Sequence, residues 1–475
     1  MLFLLLLSMA TASVTASAWR VPVLPHHTAE QSQVQVVARQ QNVTAWPYGP
    51  YRTRGREIID ARGMNVTWAG VNWPLHGESM IPEGLEYTSV QSILDRVVSV
   101  GFNIIRMPFA IQMIDTLYAN NQTDIPFPTI LSQALGPANG SAVAAGILRN
   151  NPIWTNQTGI LKIWTDIARI AAGKRLLIHP DAHVSRAGGC CSHVDGNAWF
   201  GDTHFPVANW TRGLIFVARW ASNHTNVLSI GLRNEPRESW SSTADNVNNR
   251  AELGYNWLNL AGNMTMAADA VHAVNPNLLM TWSGMGFGQD VSALVTRGKE
   301  NLLTAPCYRC SAIRDAYRRE PVVFDLSQHP WADKVVWELH LDAASEDMDT
   351  GSCRVIEAGL YRSGMNALGI APPAACNITG GDCLPAKRLT PVVLSEVGGP
   401  QDGRLLNDTL VNCLRQYTVR NRVPWMMWSL AGTYRILSGV QGARDSWGLL
   451  NATWDGFQFP EAVERLWRPW VNGTY

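Results

Sequence analysis

The chain has 475 residues, and 38 Lys+Arg balance 38 Asp+Glu, so its formal net charge is zero. Hydrophobic residues make up 46% and charged residues 16%, against about 25% charged in an average soluble protein. That much apolar material argues against disorder and coiled coil, and the lack of a long basic run removes the electrostatic footprint of a nucleic-acid binder. The 20 tryptophans have two readings, a Trp-rich core or flat platforms for stacking on an apolar ligand face.

Residues 1–18, MLFLLLLSMATASVTASA, combine a short apolar run with small residues ending in Ala16-Ser17-Ala18. This is the pattern of a cleaved secretory signal. The run is too short to span a bilayer, which takes about 20 apolar residues, so no membrane anchor is expected. The reading is a signal peptide over 1–18, an N-terminal extension over 19–45 and a catalytic domain over 46–475, in a secreted, extracellular protein.

Twelve N-x-[ST] sequons, at Asn42, Asn65, Asn121, Asn139, Asn156, Asn209, Asn223, Asn263, Asn377, Asn407, Asn451 and Asn472, suit a glycosylated surface. Eight cysteines are an even number, as an oxidising compartment favours, and allow 105 pairings. Cys376 and Cys383 bracket a short Gly-Gly-Asp loop and are the first pair expected. Cys307-Tyr-Arg-Cys310 has redox-motif spacing, but secretion favours a structural bridge. Cys190-Cys191-Ser192-His193 lacks a second ligand pair at zinc-finger spacing. His179 and His183 are four apart, yet Pro180 between them breaks the helix a zinc protease would need. No metal and no cofactor are expected.

After a polar stretch to about residue 45, short apolar runs alternate with longer helical patterns. The runs cover 66–73, 103–109, 175–183, 227–236, 277–284, 334–341, 391–399 and 424–430. They are continuous rather than alternating, as strands buried on both faces should be. VQSILDRVVSVG, ILKIWTDIARIAAGK and YNWLNLAGNMTMAADAVHAV show the three- and four-residue apolar spacing of helices. This order predicts an α/β fold, a (β/α)8 TIM barrel, with long βα loops at 110–152, 184–204, 284–330 and 342–388. Most runs end in a residue able to do chemistry: Arg106, His183, Glu235, His340, Glu396 and Trp428. Such barrels hold their active sites at those strand ends.

Glu235 and Glu396 then close strands four and seven, which face each other across the barrel mouth. Two opposed carboxylates on rigid strand ends are what glycosidic bond cleavage needs, one to protonate the leaving oxygen and one to meet the positive charge at the anomeric carbon. An arginine near Glu396 would favour its ionised form, and a second carboxylate would raise Glu235 so that it keeps its proton.

The ordered segments GVNWP, NIIRMPF, DAHVSRAGGCCSHVDGNAWFGD, GLRNEP, LSEVGG and MMWSL resemble glycoside hydrolase family 5, a group of retaining glycosidases; the likeness covers most of residues 50–470. The resemblance implies that Glu235 is the acid/base and Glu396 the nucleophile, with Arg106 beside it. It also implies that Asn234 bonds the sugar 2-hydroxyl, that His183 and His340 line the reacting-sugar site, and that Trp428 floors it. One departure stands out. The family pattern after strand six is His-x-Tyr, and here it is His340-Leu341-Asp342, without the phenol that bonds the nucleophile. A working enzyme would turn Asp342 toward solvent or a cation, or run on a carboxylate pair that titrates high; the first is expected, since loop residues just past a strand end turn easily.

The expected function is therefore a secreted, retaining O-glycosyl hydrolase acting on a polysaccharide, foremost a β-1,4-glucan such as cellulose. The expected partner is that polysaccharide or an oligosaccharide of it, bound by a monomer. The competing readings are a catalytically altered carbohydrate-binding barrel and a transglycosylase. No Ser/Thr/Pro-rich linker marks off a separate binding module.

Overall fold

All eight apolar runs become parallel strands of one closed barrel: β1 (Ala69–Asn72), β2 (Ile104–Ala110), β3 (Leu177–Val184), β4 (Ser229–Gly231), β5 (Leu279–Ser283), β6 (Val335–His340), β7 (Val392–Val397) and β8 (Trp425–Met427). Each strand hydrogen-bonds to the next, and β8 closes the ring on β1. This is the (β/α)8 barrel expected from the sequence. The computed structural model describes residues 45–240, 254–299, 322–342, 351–377 and 382–475. The expected signal peptide, the extension up to residue 44, Asn42 and the Cys307–Cys310 motif lie outside the described residues.

Among the described helices are α1 (Val90–Val100), α2 (Ile111–Ala119), α3 (Phe127–Leu135), α4 (Pro137–Asn150), α5 (Ile160–Gly173), α6 (Val207–Ala221), α7 (Trp257–Val274), α8 (Cys353–Ser363), α9 (Thr409–Asn421) and α10 (Arg468–Thr474). Local chemistry sets their ends. In α1 the Ser89 hydroxyl caps the Ser92 N–H, Gly101 ends the helix at φ +103°, and Val90, Ile93, Leu94, Val97 and Val100 form the buried stripe. Asp408 caps α9 by accepting from Val411 N. Cys353 of α8 is bridged to Cys413 of α9, and Cys376 is bridged to Cys383, as the sequence suggested.

Three stretches differ from the sequence expectation. The 110–152 segment is not an irregular loop but holds α2, α3 and α4, whose buried Ile111, Ile114 and Leu117, then Phe127, Ile130 and Leu131, carry a helical period. The 342–388 segment likewise contains α8. The fourth strand is short, Ser229–Gly231, but Leu232 N still bonds Thr281 O of β5 and Asn234 N bonds Ala182 O of β3, each at 3.1 Å, so the chain follows the barrel wall as far as Asn234.

The barrel interior is divided by height. Its lower layer is apolar: Ile104, Leu177, Leu228, Leu279, Val336, Val393 and Met426 pack under Trp68, with Tyr51 and Ile58 alongside. Ile58 belongs to an antiparallel hairpin, Arg52–Arg54 with Glu57–Ile59, that precedes β1. Above this layer the interior is polar, and Asn72, Arg106, His179, Asp181, Thr281, Glu338 and Ser395 are all buried. Eleven of the 20 tryptophans are fully buried, so the Trp-rich core is the main use of that residue.

Gly231 shows how tightly the polar layer is built, because a Cβ there would stand 2.4 Å from Asp181 Oδ1. Gly231→Ala is expected to destabilise the fold by about 1–3 kcal/mol. Gly262, exposed in α7 with nothing within 4 Å of an added Cβ, should as Ala add about 0.4–1 kcal/mol. Urea unfolding of both variants checks this, and equal effects would contradict it.

Candidate active site

The strand period of two delivers most of the site. Residues i and i+2 point to one face, so β3 sends Asp181 and His183 inward together and β6 sends Glu338 and His340. Arg106 comes from β2, Glu396 from β7, Asn234 and Glu235 from the turn after β4, and Trp428 from just past β8. All seven site residues expected from the sequence meet at the same mouth. A cavity of about 550 Å3 there is lined by Glu235, Glu396, His183, His340, Trp428, Cys190, Cys191, Asp342, Trp447 and their neighbours.

Arg106 is the centre of the arrangement and is fully buried. Its Nη1 donates to Glu396 Oε1 at 2.5 Å and to Asn72 Oδ1 at 2.9 Å. Its Nη2 donates to Asn234 Oδ1 at 2.7 Å and lies 3.0 Å from both Glu338 Oε1 and Asp181 Oδ2. Glu338 also accepts from Ser395 Oγ at 2.6 Å and from Thr281 Oγ1.

His340 stands between the two expected catalytic carboxylates. Its Nδ1 is 2.8 Å from Glu235 Oε1 and 3.7 Å from Glu396 Oε2, and its Nε2 is 3.2 Å from Glu338 Oε1. An oxygen of Glu235, an oxygen of Glu396 and a His340 nitrogen all lie within 4.8 Å of one another. Glu235 has φ +42°, a left-handed backbone that costs a non-glycine residue on the order of 1–3 kcal/mol and is found at functional sites. Arg237 Nη1 holds that turn by donating to Glu235 O at 2.9 Å.

On the opposite wall Trp428 stacks on His183, with centroids 5.4 Å apart and 7° between planes, and His183 Nδ1 is 2.9 Å from Asp181 Oδ2. Asp342 lines the cavity and is partly exposed. A phenol is present nearby, but on Tyr434 of the hairpin after β8, where it bonds Ser429. Sequence reasoning passed over Asp181, Glu338 and Asn72, and also the Cys190–Cys191 disulfide on the cavity wall. An acid two residues before each histidine in an apolar run was the available signal for the first two.

No protein-family profile matches the chain. A glycosyl hydrolase 5 family protein from Chamaecyparis obtusa is 27% identical over 427 residues, 88% of this chain and 65% of the relative. An endoglucanase from Paenibacillus polymyxa is 25% identical over 238 residues, half of each chain. The chain thus spans half to two thirds of these curated relatives. The chain is similar to proteins named for glycoside hydrolase family 5. Its fold matches that of an endocellulase from the archaeon Pyrococcus horikoshii with a TM-score of 0.58 at 16% identity, over 89% of this chain and 98% of the other.

The site gathers four carboxylates, Glu235, Glu396, Glu338 and Asp181, around Arg106 and His340. Burial alone would depress His340, but Glu396, with hydrogen bonds to Glu235 and Glu338, holds it well above the usual histidine range. Burial also opposes the charge on Glu338, yet Arg106 and His340 keep it ionised, below the usual carboxylate range. His183 is pushed down by burial and by the Arg106 and His340 charges, so it is neutral. Burial pushes Glu396 up to about 7, outweighing His340 and Arg106, which favour the anion. The expected help from Arg106 is therefore present and insufficient by itself.

Glu396 should accordingly be protonated below about pH 7 and ionised above it. Infrared difference spectra between wild type and Glu396→Gln should show its carboxyl band at half intensity near pH 7, and a midpoint near the ordinary glutamate value of about 4.3 would contradict it.

Proposed function

We propose that this protein is a secreted retaining β-glycosidase that cleaves a β-1,4-glucan by double displacement. The observation that carries the reading is the pair Glu235 and Glu396, on opposed strand ends with oxygens within 4.8 Å. Double displacement needs one carboxylate to attack the anomeric carbon while the other protonates the leaving oxygen.

The mechanism follows from the contacts. Arg106 holds Glu396 Oε1, which orients the carboxylate and leaves Oε2 to attack the anomeric carbon. Glu235 gives its proton to the departing glycosidic oxygen. Once Glu396 is esterified its negative charge is gone, and Glu235, now a carboxylate, accepts a proton from water as that water attacks the same carbon. Two inversions retain configuration. His340, bonded to Glu235 Oε1, fixes the acid/base and stabilises its anion between the steps. Trp428 offers a flat face to the sugar, which suits stacking against C–H groups.

The named activities of the relatives support a β-glucan substrate: one is an endoglucanase, and the archaeal endocellulase is known in complex with cellotetraose. Both glutamates are present and Arg106 is paired with Glu396, which favours a working site over a disabled carbohydrate-binding barrel. Three described disulfides, with no free cysteine among the described residues, support an oxidising, extracellular location.

Glu235→Ala should lower kcat/KM on cellotetraose by about 10²–10⁴-fold and far less on a dinitrophenyl glycoside, whose leaving group needs no proton. Glu396→Ala should lose hydrolysis of both, with azide restoring turnover to the glycosyl azide of opposite configuration. Proton NMR of the first wild-type product should show the β-anomer. An α-anomeric first product, or equal losses on both substrates for Glu235→Ala, would overturn the assignment.

A further inference from the structure

The Cys190–Cys191 disulfide joins adjacent residues, a sequence separation of 1. A disulfide stabilises a fold mainly by closing a loop in the unfolded chain, and this one closes none. The bridges Cys353–Cys413 and Cys376–Cys383, by contrast, span separations of 60 and 7. Its position suggests a local task. Both cysteines are half-buried and line the cavity that holds Glu235, Glu396 and Trp428.

The side chain it faces is Asn234. Arg106 Nη2 donates to Asn234 Oδ1 at 2.7 Å, which settles which end of the amide is oxygen, because a guanidinium has no acceptor. Asn234 Nδ2 is thereby aimed at the two sulfurs, 3.7 Å from Cys190 Sγ and 3.6 Å from Cys191 Sγ. Disulfide sulfur is a weak acceptor, so the N–H groups are oriented without being consumed, and an incoming hydroxyl oxygen outcompetes it.

A single guanidinium keeps the two parts in register. Arg237 Nε donates to Ser192 O at 2.8 Å, its Nη1 donates to Glu235 O at 2.9 Å, and its Nη2 pairs with Asp195. The loop bearing the disulfide is thus tied to the turn bearing Asn234 and Glu235. The bond between neighbouring sulfurs also removes the side-chain rotations that two free thiols would have.

We propose that the Cys190–Cys191 disulfide is a positioning element of the sugar site, holding the Asn234 amide where it donates to the hydroxyl next to the reacting carbon. The proposal rests on the glycosidase reading above. It assigns a role in substrate orientation to a bridge that closes no loop.

The test compares an aryl β-cellobioside with its analogue lacking the 2-hydroxyl on the reacting ring. Cys190→Ala/Cys191→Ala should lower kcat/KM about tenfold on the first, the order of one hydrogen bond, and leave the second at the wild-type value. Adding Asn234→Ala should bring little further loss. Should the double variant not fold, the wild type is reduced instead. Dithiothreitol passes two electrons and two protons to the S–S bond, giving two thiols and its own cyclic disulfide, and alkylation with mass analysis follows the opening at residues 190 and 191. The same selective loss is expected. An equal loss on both substrates, or none on either, overturns the proposal while the hydrolase reading stands. A wild type inactive on both substrates overturns that reading and this proposal together.

Discussion

A single buried guanidinium organises the upper half of this barrel. Arg106 reaches Asn72, Asp181, Asn234, Glu338 and Glu396, which come from β1, β3, the turn after β4, β6 and β7. Every one of these groups is polar and nearly or wholly buried. Removing one partner of a buried, hydrogen-bonded ion pair typically costs about 3–5 kcal/mol, because the other charge is left unpaired. The planar fork of five donors makes Arg the side chain able to serve so many acceptors at once. The apolar lower layer and the aromatic shell have to supply the stability that such a polar interior does not.

The same cluster sets the chemistry. Burial in this cluster raises Glu396 and Asp181, while Arg106 and His340 hold Glu338 below the usual carboxylate range. That balance leaves Glu338 ionised as a fixed counter-charge and places Glu396 near neutrality. His340 links these levels, since its two ring nitrogens lie against Glu235 and Glu338. The position of the proposed acid/base is thus tied through His340 to a buried carboxylate outside the cavity lining. Burial pushes Glu396 itself up to about 7 in this site without the usual tyrosine.

The barrel was legible because both faces of its strands are buried, so each strand reads as a continuous apolar run. Glu235 and Glu396 were legible because they interrupt such runs at their ends. Glu338 and Asp181 were harder, because each sits inside a run and its signal is only the period-two relation to the following histidine. The helices over 111–150 were hidden by a loop reading, although Pro137 at the first position of α4 and the periodic isoleucines mark them. The hairpin Thr433–Leu437 with Val440–Arg444 was also passed over; Ser438-Gly439, both at positive φ, is the turn signal that announces it. Among the described residues, spacing announced the Cys376–Cys383 pair, whereas the α8–α9 bridge depends on how distant helices pack.

The most direct test of the account is covalent trapping of the nucleophile. A 2-deoxy-2-fluoro β-cellobioside with an activated leaving group forms the glycosyl-enzyme ester and slows its hydrolysis, so the labelled peptide can be sequenced by mass spectrometry. The account predicts one label per chain, carried by Glu396 and absent from Glu396→Gln. A label on another residue, or turnover of this reagent without any covalent adduct, would contradict it.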